Sequence, residues 1–162
     1  MDKVIFIVGP TAVGKTDVSI QLAKALNGEI VSADSVQIYK KLNIGSAKPT
    51  PEEMDGIPHH LLDFVEPDKS FSVSDYTHLA KEVIREIRSR GKTAIVAGGT
   101  GLYVNALLYD MDFGKTQSDD EYRNTLEKIA EEKGNEALHQ MLEAIDPEAA
   151  EKIHANNLRR VI

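Results

Sequence analysis

The sequence predicts an α/β protein in which a parallel sheet is built around a phosphate-binding loop, with an all-helical segment after it. Three observations carry that reading. A run rich in β-branched and aromatic residues, Lys3 to Val8, leads into Gly9-Pro10-Thr11-Ala12-Val13-Gly14-Lys15-Thr16, which fits the pattern G-x-x-x-x-G-K-[ST]. Two further apolar runs, Glu29 to Ala33 and Thr93 to Ala97, alternate with stretches of helical periodicity, as crossover-connected parallel strands require. From about residue 114 onward only helical patterns remain.

The first of these fixes the chemistry of the loop. Strand, glycine loop and helix in that order let backbone N–H groups turn inward on phosphate oxygens, and the helix N-terminus adds its dipole. Residues 9–16 are therefore the candidate phosphate site: Gly9, Pro10, Thr11, Ala12, Val13, Gly14, Lys15 and Thr16. Lys15 supplies a point charge, and the Thr16 hydroxyl is the candidate Mg²⁺ ligand. The arrangement is that of a P-loop NTPase-like sheet flanked by helices.

The remaining elements follow in chain order. A helix over Asp17 to Leu26 places Val18, Leu22 and Leu26 at helical spacing. The second strand, 29–33, is followed by Asp34. Gly45 to Pro51 reads as a loop from its composition. From Ser72 or Ser74 a helix runs to Arg90, with Tyr76, Leu79, Ala80, Val83, Ile84 and Ile87 on one face and Gly91 as the C-cap. Arg85, Arg88 and Arg90 suit its C-terminal dipole and read as a solvated helix end. The third strand closes in Gly98-Gly99-Thr100-Gly101, and a helix follows from Leu102 to about Leu108.

Residues 1–113 form the predicted α/β core, and 114–162 the helical segment. In the latter, Asp112 to Ser118 is a polar linker, and Ser118-Asp119-Asp120-Glu121 is a capping box that opens a helix ended by Gly134. Asn135 caps the next helix, Asp146-Pro147 opens a short one, and Asn156 or Asn157 opens a fourth. The amphipathic ending Leu158-Arg159-Arg160-Val161-Ile162 lacks a cap or polar tail, so the chain reads as a truncated one.

Composition narrows the function classes. Hydrophobic content of 41% with 28% charged residues is that of a soluble globular protein. No apolar run reaches membrane-spanning length, so no membrane association is expected, and a cytoplasmic location is the default. The absence of cysteine excludes disulfides, thiolate metal sites and cysteine nucleophiles. A net charge of −7 means that any polyanion is bound through local clusters such as Lys40, Lys41, Lys48, Arg159 and Arg160.

Two candidates remain open on the residues alone. Asp34 lies at the carboxyl end of a strand, where α/β sheets bind ligands, and is either a catalytic carboxylate or a turn aspartate. His59 and His60, the adjacent histidines, have no third ligand at metal spacing and suit a structural or phosphate-neighbouring role better than zinc. No strand ends in the apolar run plus aspartate that holds the second Mg²⁺ position in ATPases, which argues against a motor or switch NTPase.

Taken together, Gly-Pro-Thr-Ala-x-Gly-Lys-Thr at 9–16, Ala-Asp-Ser-x-Gln-Ile-Tyr at 33–39, Gly-Ser-Ala-Lys-Pro at 45–49, Pro-His-His-Leu-Leu-Asp at 58–63 and Gly-Gly-Thr-Gly-Leu-Tyr at 98–103 resemble the bacterial tRNA dimethylallyltransferases, also called tRNA isopentenyl transferases. The resemblance covers essentially the whole chain, while members of that family are about twice as long. It implies transfer of a dimethylallyl group from dimethylallyl diphosphate to N6 of adenosine 37 in tRNA, with Mg²⁺, by a monomer. It implies that the loop holds the diphosphate and that Asp34, with Lys15 and Thr16, is catalytic. Asp34, Ser35, Val36, Gln37, Thr100, Arg123, Arg159 and Arg160 are then the tRNA-contacting residues. The family's usual Gln-Arg is Arg159-Arg160 here, so Arg159 departs from the pattern and Arg160 matches. The segment from 114 corresponds to the start of an inserted helical domain.

The residues agree with this chemistry. A loop that binds phosphate tightly also stabilises the charge of a diphosphate leaving group, and because no phosphoryl group moves, no Walker-B aspartate is needed. A base in a stacked loop must be extruded into a pocket before it can react. The alternative is a P-loop small-molecule or nucleoside kinase, in which Asp34 orients a substrate hydroxyl. A non-catalytic nucleotide-binding module, needing the loop but not Asp34, is a third.

Overall fold

The computed structural model describes residues 3–111 and 120–162, which fall into two compact units, one within 1–114 and one within 115–162. In the first unit four parallel strands are joined by helical crossovers. The elements are β1 (Val4–Val8), α1 (Lys15–Ala25), β2 (Gly28–Ser32), α2 (Pro51–Met54), β3 (His59–His60), α3 (Val73–Ser89), β4 (Thr93–Gly98) and α4 (Gly101–Leu108). The sheet order is β1-β4-β2-β3, with every pairing parallel.

Period-two alternation sorts the strand side chains onto two faces. Val31, Ala33, Ala94 and Val96 bury one face against Tyr76, Ala80, Ile84 and Ile87 of α3 and Tyr103 and Val104 of α4. Ile30 and Ile95 bury the other against Ile20 and Ala23 of α1. A three-layer sandwich results. Of the helix face expected on α3, Tyr76, Ala80, Ile84 and Ile87 are buried and Leu79 and Val83 are partly exposed, with Thr77 added to the buried set; its start is secured by the reciprocal cap between Ser72 and Asp75.

Helix α1 differs from the expectation. It buries Ser19, Ile20 and Ala23, whereas Val18 and Leu26 are exposed and only Leu22 of the expected trio packs against the core. Ser19 and Ala23 are small, and the Ala23 Cα lies 3.5 Å from where a Cβ on Gly28 of β2 would sit, so helix and sheet are in close contact there. It also starts two residues earlier than expected, because Gly14 at φ +86° supplies a left-handed N-cap.

Two short elements were not legible as such. Helix α2 begins at Pro51, inside the stretch expected to be loop. Its start is a reciprocal cap between Thr50 and Glu53 with proline at the first position. That T-x-x-E spacing is itself a sequence signal, masked by the proline and glycine that dominate the local composition. His59 and His60 form β3, an edge strand whose two residues pair with Ile30 and Val31. A two-residue strand shows no periodicity to detect.

The second unit consists of α5 (Asp120–Lys133), α6 (Asn135–Ile145), α7 (Pro147–Lys152) and α8 (Leu158–Val161). Its core contains Ala130, Leu138, Ala150 and Ala155. Asp146 caps α7 by accepting from the Ala149 N–H at 3.0 Å. His139 Nε2–H donates to the carbonyls of Ala150 and Ile153 at 3.1 and 2.7 Å, satisfying groups at the end of α7. Gly134, rather than Asn135, is the N-cap of α6. The expected linker at 112–118, and Ser118 and Asp119 of the expected capping box, lie outside the described residues.

Candidate functional site

The site lies where β1, β2 and β4 end and three loops converge. The loop from Gly9 to Gly14 turns through a left-handed Ala12 (φ +66°) and Gly14, which aims the start of α1 at the sheet edge. Lys15 Nζ–H donates to the Pro10 carbonyl at 2.5 Å, so its ammonium folds back over the loop. Gly98 is required by packing. A Cβ there would come within 2.2 Å of the Ala33 carbonyl oxygen. That contact draws the end of β4 against the end of β2, and the Thr100 N–H donates to the same Ala33 carbonyl at 3.1 Å.

This junction places Asp34. Its Oδ1 accepts from the N–H groups of Val36 at 2.9 Å and Gln37 at 3.1 Å, while the Ser35 N–H donates to Thr100 Oγ1 at 2.9 Å. The turn reading of Asp34 is the one these bonds show, and its place in a cleft is compatible with the other. One carboxylate oxygen performs the work of a turn, and the residue still lines a cleft of 340 Å³ together with Lys15 and Thr16. Thr11, Ala12, Gly14 and Gln37, of the expected site residues, line the same cleft.

Gly9, Pro10 and Val13 shape the loop without lining the cleft, and Ser35, Val36 and Thr100 hold its rim. Thr100 has a structural function here: its hydroxyl also donates to Ser35 Oγ at 3.2 Å, tying the β4 loop to the β2 loop. Arg123 on α5 and Arg159 and Arg160 on α8 are exposed residues of the second unit.

The cleft also contains Ser19 and Glu53, for which the sequence carries no site signal, together with His59 and with Ser46, Ala47, Pro49 and Leu62 of the motifs at 45–49 and 58–63. His59 is half-buried, and burial pushes its pKa below the ordinary value, with the neighbouring His60 acting in the same direction. Its Nδ1–H donates to the Ile57 carbonyl at 2.8 Å, which leaves the Nε2 lone pair as the free nitrogen. His60 points elsewhere, with Nε2 at 2.6 Å from Glu29.

Two of the expected polyanion contacts are already engaged. Lys48 is 6% exposed and Lys40 pairs with Glu66 at 2.7 Å, so neither stands as an open cation. Lys41, Arg159 and Arg160 remain exposed.

Among the described residues no group of three or more His, Cys, Asp or Glu side chains could hold a metal ion. The donor set at the loop is a Thr16 hydroxyl beside the cleft. That suits Mg²⁺, which keeps several waters and binds substrate phosphates rather than a protein cage.

Parallel order, glycine loop, helix N-terminus and lysine together define a P-loop NTPase-like α/β protein. The comparisons refine that class. The IPP transferase family model matches residues 37–162, and the chain belongs to this family. It is 58% identical to the tRNA dimethylallyltransferase of Acetivibrio thermocellus over 162 residues, 100% of this chain and 52% of the relative. It is 56% identical to that of Bacillus cytotoxicus, over 99% of this chain and 51% of the relative. Among solved structures, the full-length tRNA isopentenylpyrophosphate transferase of Bacillus halodurans superposes with a TM-score of 0.69 at 52% identity, covering 99% of this chain and 53% of the other. A eukaryotic dimethylallyltransferase acting on tRNA gives 0.81 at 34% identity, covering 99% and 40%. The chain thus spans about half the length of the relatives it matches. No helix of the described residues is long and apolar enough to cross a membrane.

Proposed function

We propose that the protein to which this chain belongs transfers a dimethylallyl group from dimethylallyl diphosphate to N6 of adenosine 37 in tRNA. The observation that carries the reading is that Lys15, Thr16 and Asp34 line one cleft, so a diphosphate and a base that must lose a proton meet in one place. The backbone of residues 9–16 and Lys15 bind the diphosphate. Thr16 would hold Mg²⁺, which would supply positive charge to offset that of the diphosphate. The N6 lone pair forms a bond to the allylic carbon, the C–O bond to diphosphate breaks, and its electron pair leaves on the diphosphate oxygen.

The N6 lone pair is delocalised into the adenine ring, so the amine is a poor nucleophile and must lose a proton as the C–N bond forms. Asp34 accepts that proton. Its Oδ1 is occupied by the two backbone N–H groups, which fixes the carboxylate plane and leaves Oδ2 for the amine. Ser35, Val36, Gln37, Thr100, Arg123, Arg159 and Arg160 are the tRNA-side residues of this reading.

The test is radiolabelled prenyl transfer to unmodified tRNA by the full-length protein, beside thermal-shift binding of dimethylallyl diphosphate and of ATP, each with Mg²⁺. Label appearing in tRNA, with stabilisation by the prenyl donor, is the expected result. Stabilisation by ATP alone, with no label transferred, would return the site to the kinase reading.

A further inference from the structure

The loop between Tyr39 and Lys48 is closed on Gln37 by an unusual pair of polar clamps. Lys48 is a lysine with 6% of its side chain exposed. Its three ammonium hydrogens meet three acceptors, the Tyr39 carbonyl at 2.7 Å, Asn43 Oδ1 at 3.1 Å and Asp63 Oδ1 at 2.5 Å. An ammonium has three donors, so none is left for a ligand. Gln37 is the second clamp. Its Nε2 donates to the Ser46 carbonyl at 3.0 Å and to the Ala47 carbonyl at 2.9 Å. Both amide hydrogens are thereby used.

That leaves one orientation for the Gln37 amide. Turned over, it would press Oε1 against two carbonyl oxygens, an acceptor against acceptors. Among the described residues Oε1 is therefore the end left unbonded, on a residue that lines the same cleft as Asp34. The Gln37 backbone is held as well, by Asp34 on its N–H at 3.1 Å and by the Asp63 N–H on its carbonyl at 3.0 Å. Since Lys48 holds Asp63 on one side and Asn43 on the other, it joins both segments that fix Gln37.

We infer that Lys48 is a positioning residue, whose three-way clamp fixes the loop that turns the Gln37 amide so that its carbonyl oxygen faces the substrate base and accepts from an exocyclic amine. This rests on the proposed function and adds a basis for selecting an amino-purine. The target amine carries two hydrogens; Asp34 takes one, and Gln37 holds the other. A purine with no exocyclic amine leaves Oε1 unpaired, and an oxo group there opposes it acceptor to acceptor.

The test uses the full-length protein and unmodified anticodon stem-loop RNAs carrying either adenosine or purine riboside at the target position. The wild type is expected to bind the adenosine RNA about tenfold tighter, the value of one buried hydrogen bond. Gln37→Met and Lys48→Met should each abolish that preference, with the double variant no worse than either, the signature of two residues acting as a unit. Inorganic diphosphate should bind all of them alike. If Lys48→Met loses diphosphate binding, and so its fold, Asn43→Ala takes its place and should lose about half of the preference on a logarithmic scale. Retention of the tenfold preference in Lys48→Met, equal weakening of both RNAs, or no preference in the wild type would each overturn the inference. Any of these with prenyl transfer intact would strike the inference alone, whereas absence of RNA binding together with absence of transfer would remove the proposed function as well.

Discussion

The two ends of the sheet handle charge in opposite ways. Near the start of β2, Glu29 is 4% exposed and is met by Arg90 at 2.7 Å, Lys92 at 2.8 Å and His60 at 2.6 Å. Burial opposes its ionisation, but the hydrogen bonds from Lys92, His60 and Arg90 outweigh this and bring its pKa to about 2. At the carboxyl ends of the strands, among the described residues, Lys15 reaches only a carbonyl of its own loop, and Asp34 hydrogen-bonds only to backbone N–H groups. A charge closed by opposite charges stabilises the fold. One left without a counter-charge in a cleft is available to a ligand. Arg90 belongs to the first kind, which corrects its reading as part of a solvated helix end.

The largest expected effect breaks the open end. Asp34→Asn in the full-length protein should retain donor and tRNA binding yet lose about 10²–10⁴-fold in kcat, the range for removal of a general base. Single-turnover transfer with both substrates saturating decides it. A near wild-type rate would leave Asp34 as a turn residue only.

Next comes the closed end. Glu29 has its folded pKa depressed from 4.5 to about 2. Its contribution, about 3 kcal/mol, is therefore complete above the unfolded value near 4.5 and is lost as pH falls toward 2. Glu29→Gln should lower stability by about that amount at pH 7 and flatten the acid limb of a denaturant-midpoint series between those values. Prenyl transfer at temperatures well below unfolding should change little.

Lys15→Ala is smaller and asymmetric. It should weaken diphosphate binding by about 1.5–3 kcal/mol, the value of a charge-assisted hydrogen bond, with tRNA affinity and thermal stability nearly unchanged. Calorimetric titration with inorganic diphosphate reads this. A fall in stability comparable to that of Glu29→Gln would erase the contrast between the two ends.

The smallest effect concerns a polar group belonging to neither end. Among the described residues the Tyr76 hydroxyl, carried on a ring stacked on Tyr103 at 4.0 Å, is buried without a hydrogen-bond partner. Burial keeps that hydroxyl protonated by raising its pKa, with Tyr103 acting in the same sense. Tyr76→Phe should be neutral or stabilising by up to about 1 kcal/mol in thermal unfolding, because an orphaned donor costs free energy and offers nothing in return.

What the sequence determined by itself is local or periodic. The glycine loop, the strands β1, β2 and β4 and helix α3 are legible because strand alternation, helical spacing and capping pairs are written in consecutive residues. Asp34 is legible as a candidate because strand ends face the ligand in parallel sheets. The tertiary structure alone decided which residues of α1 face the sheet, that His59 and His60 add an edge strand, and that Glu29 gathers hydrogen-bond partners from 31, 61 and 63 residues away. It also decided that Lys48 is a buried clamp and not a surface cation. The physical reason is common to all of these. Each depends on partners distant in sequence, and a side chain's charge or polarity states what it can bond with, while only the fold states which partner is within reach.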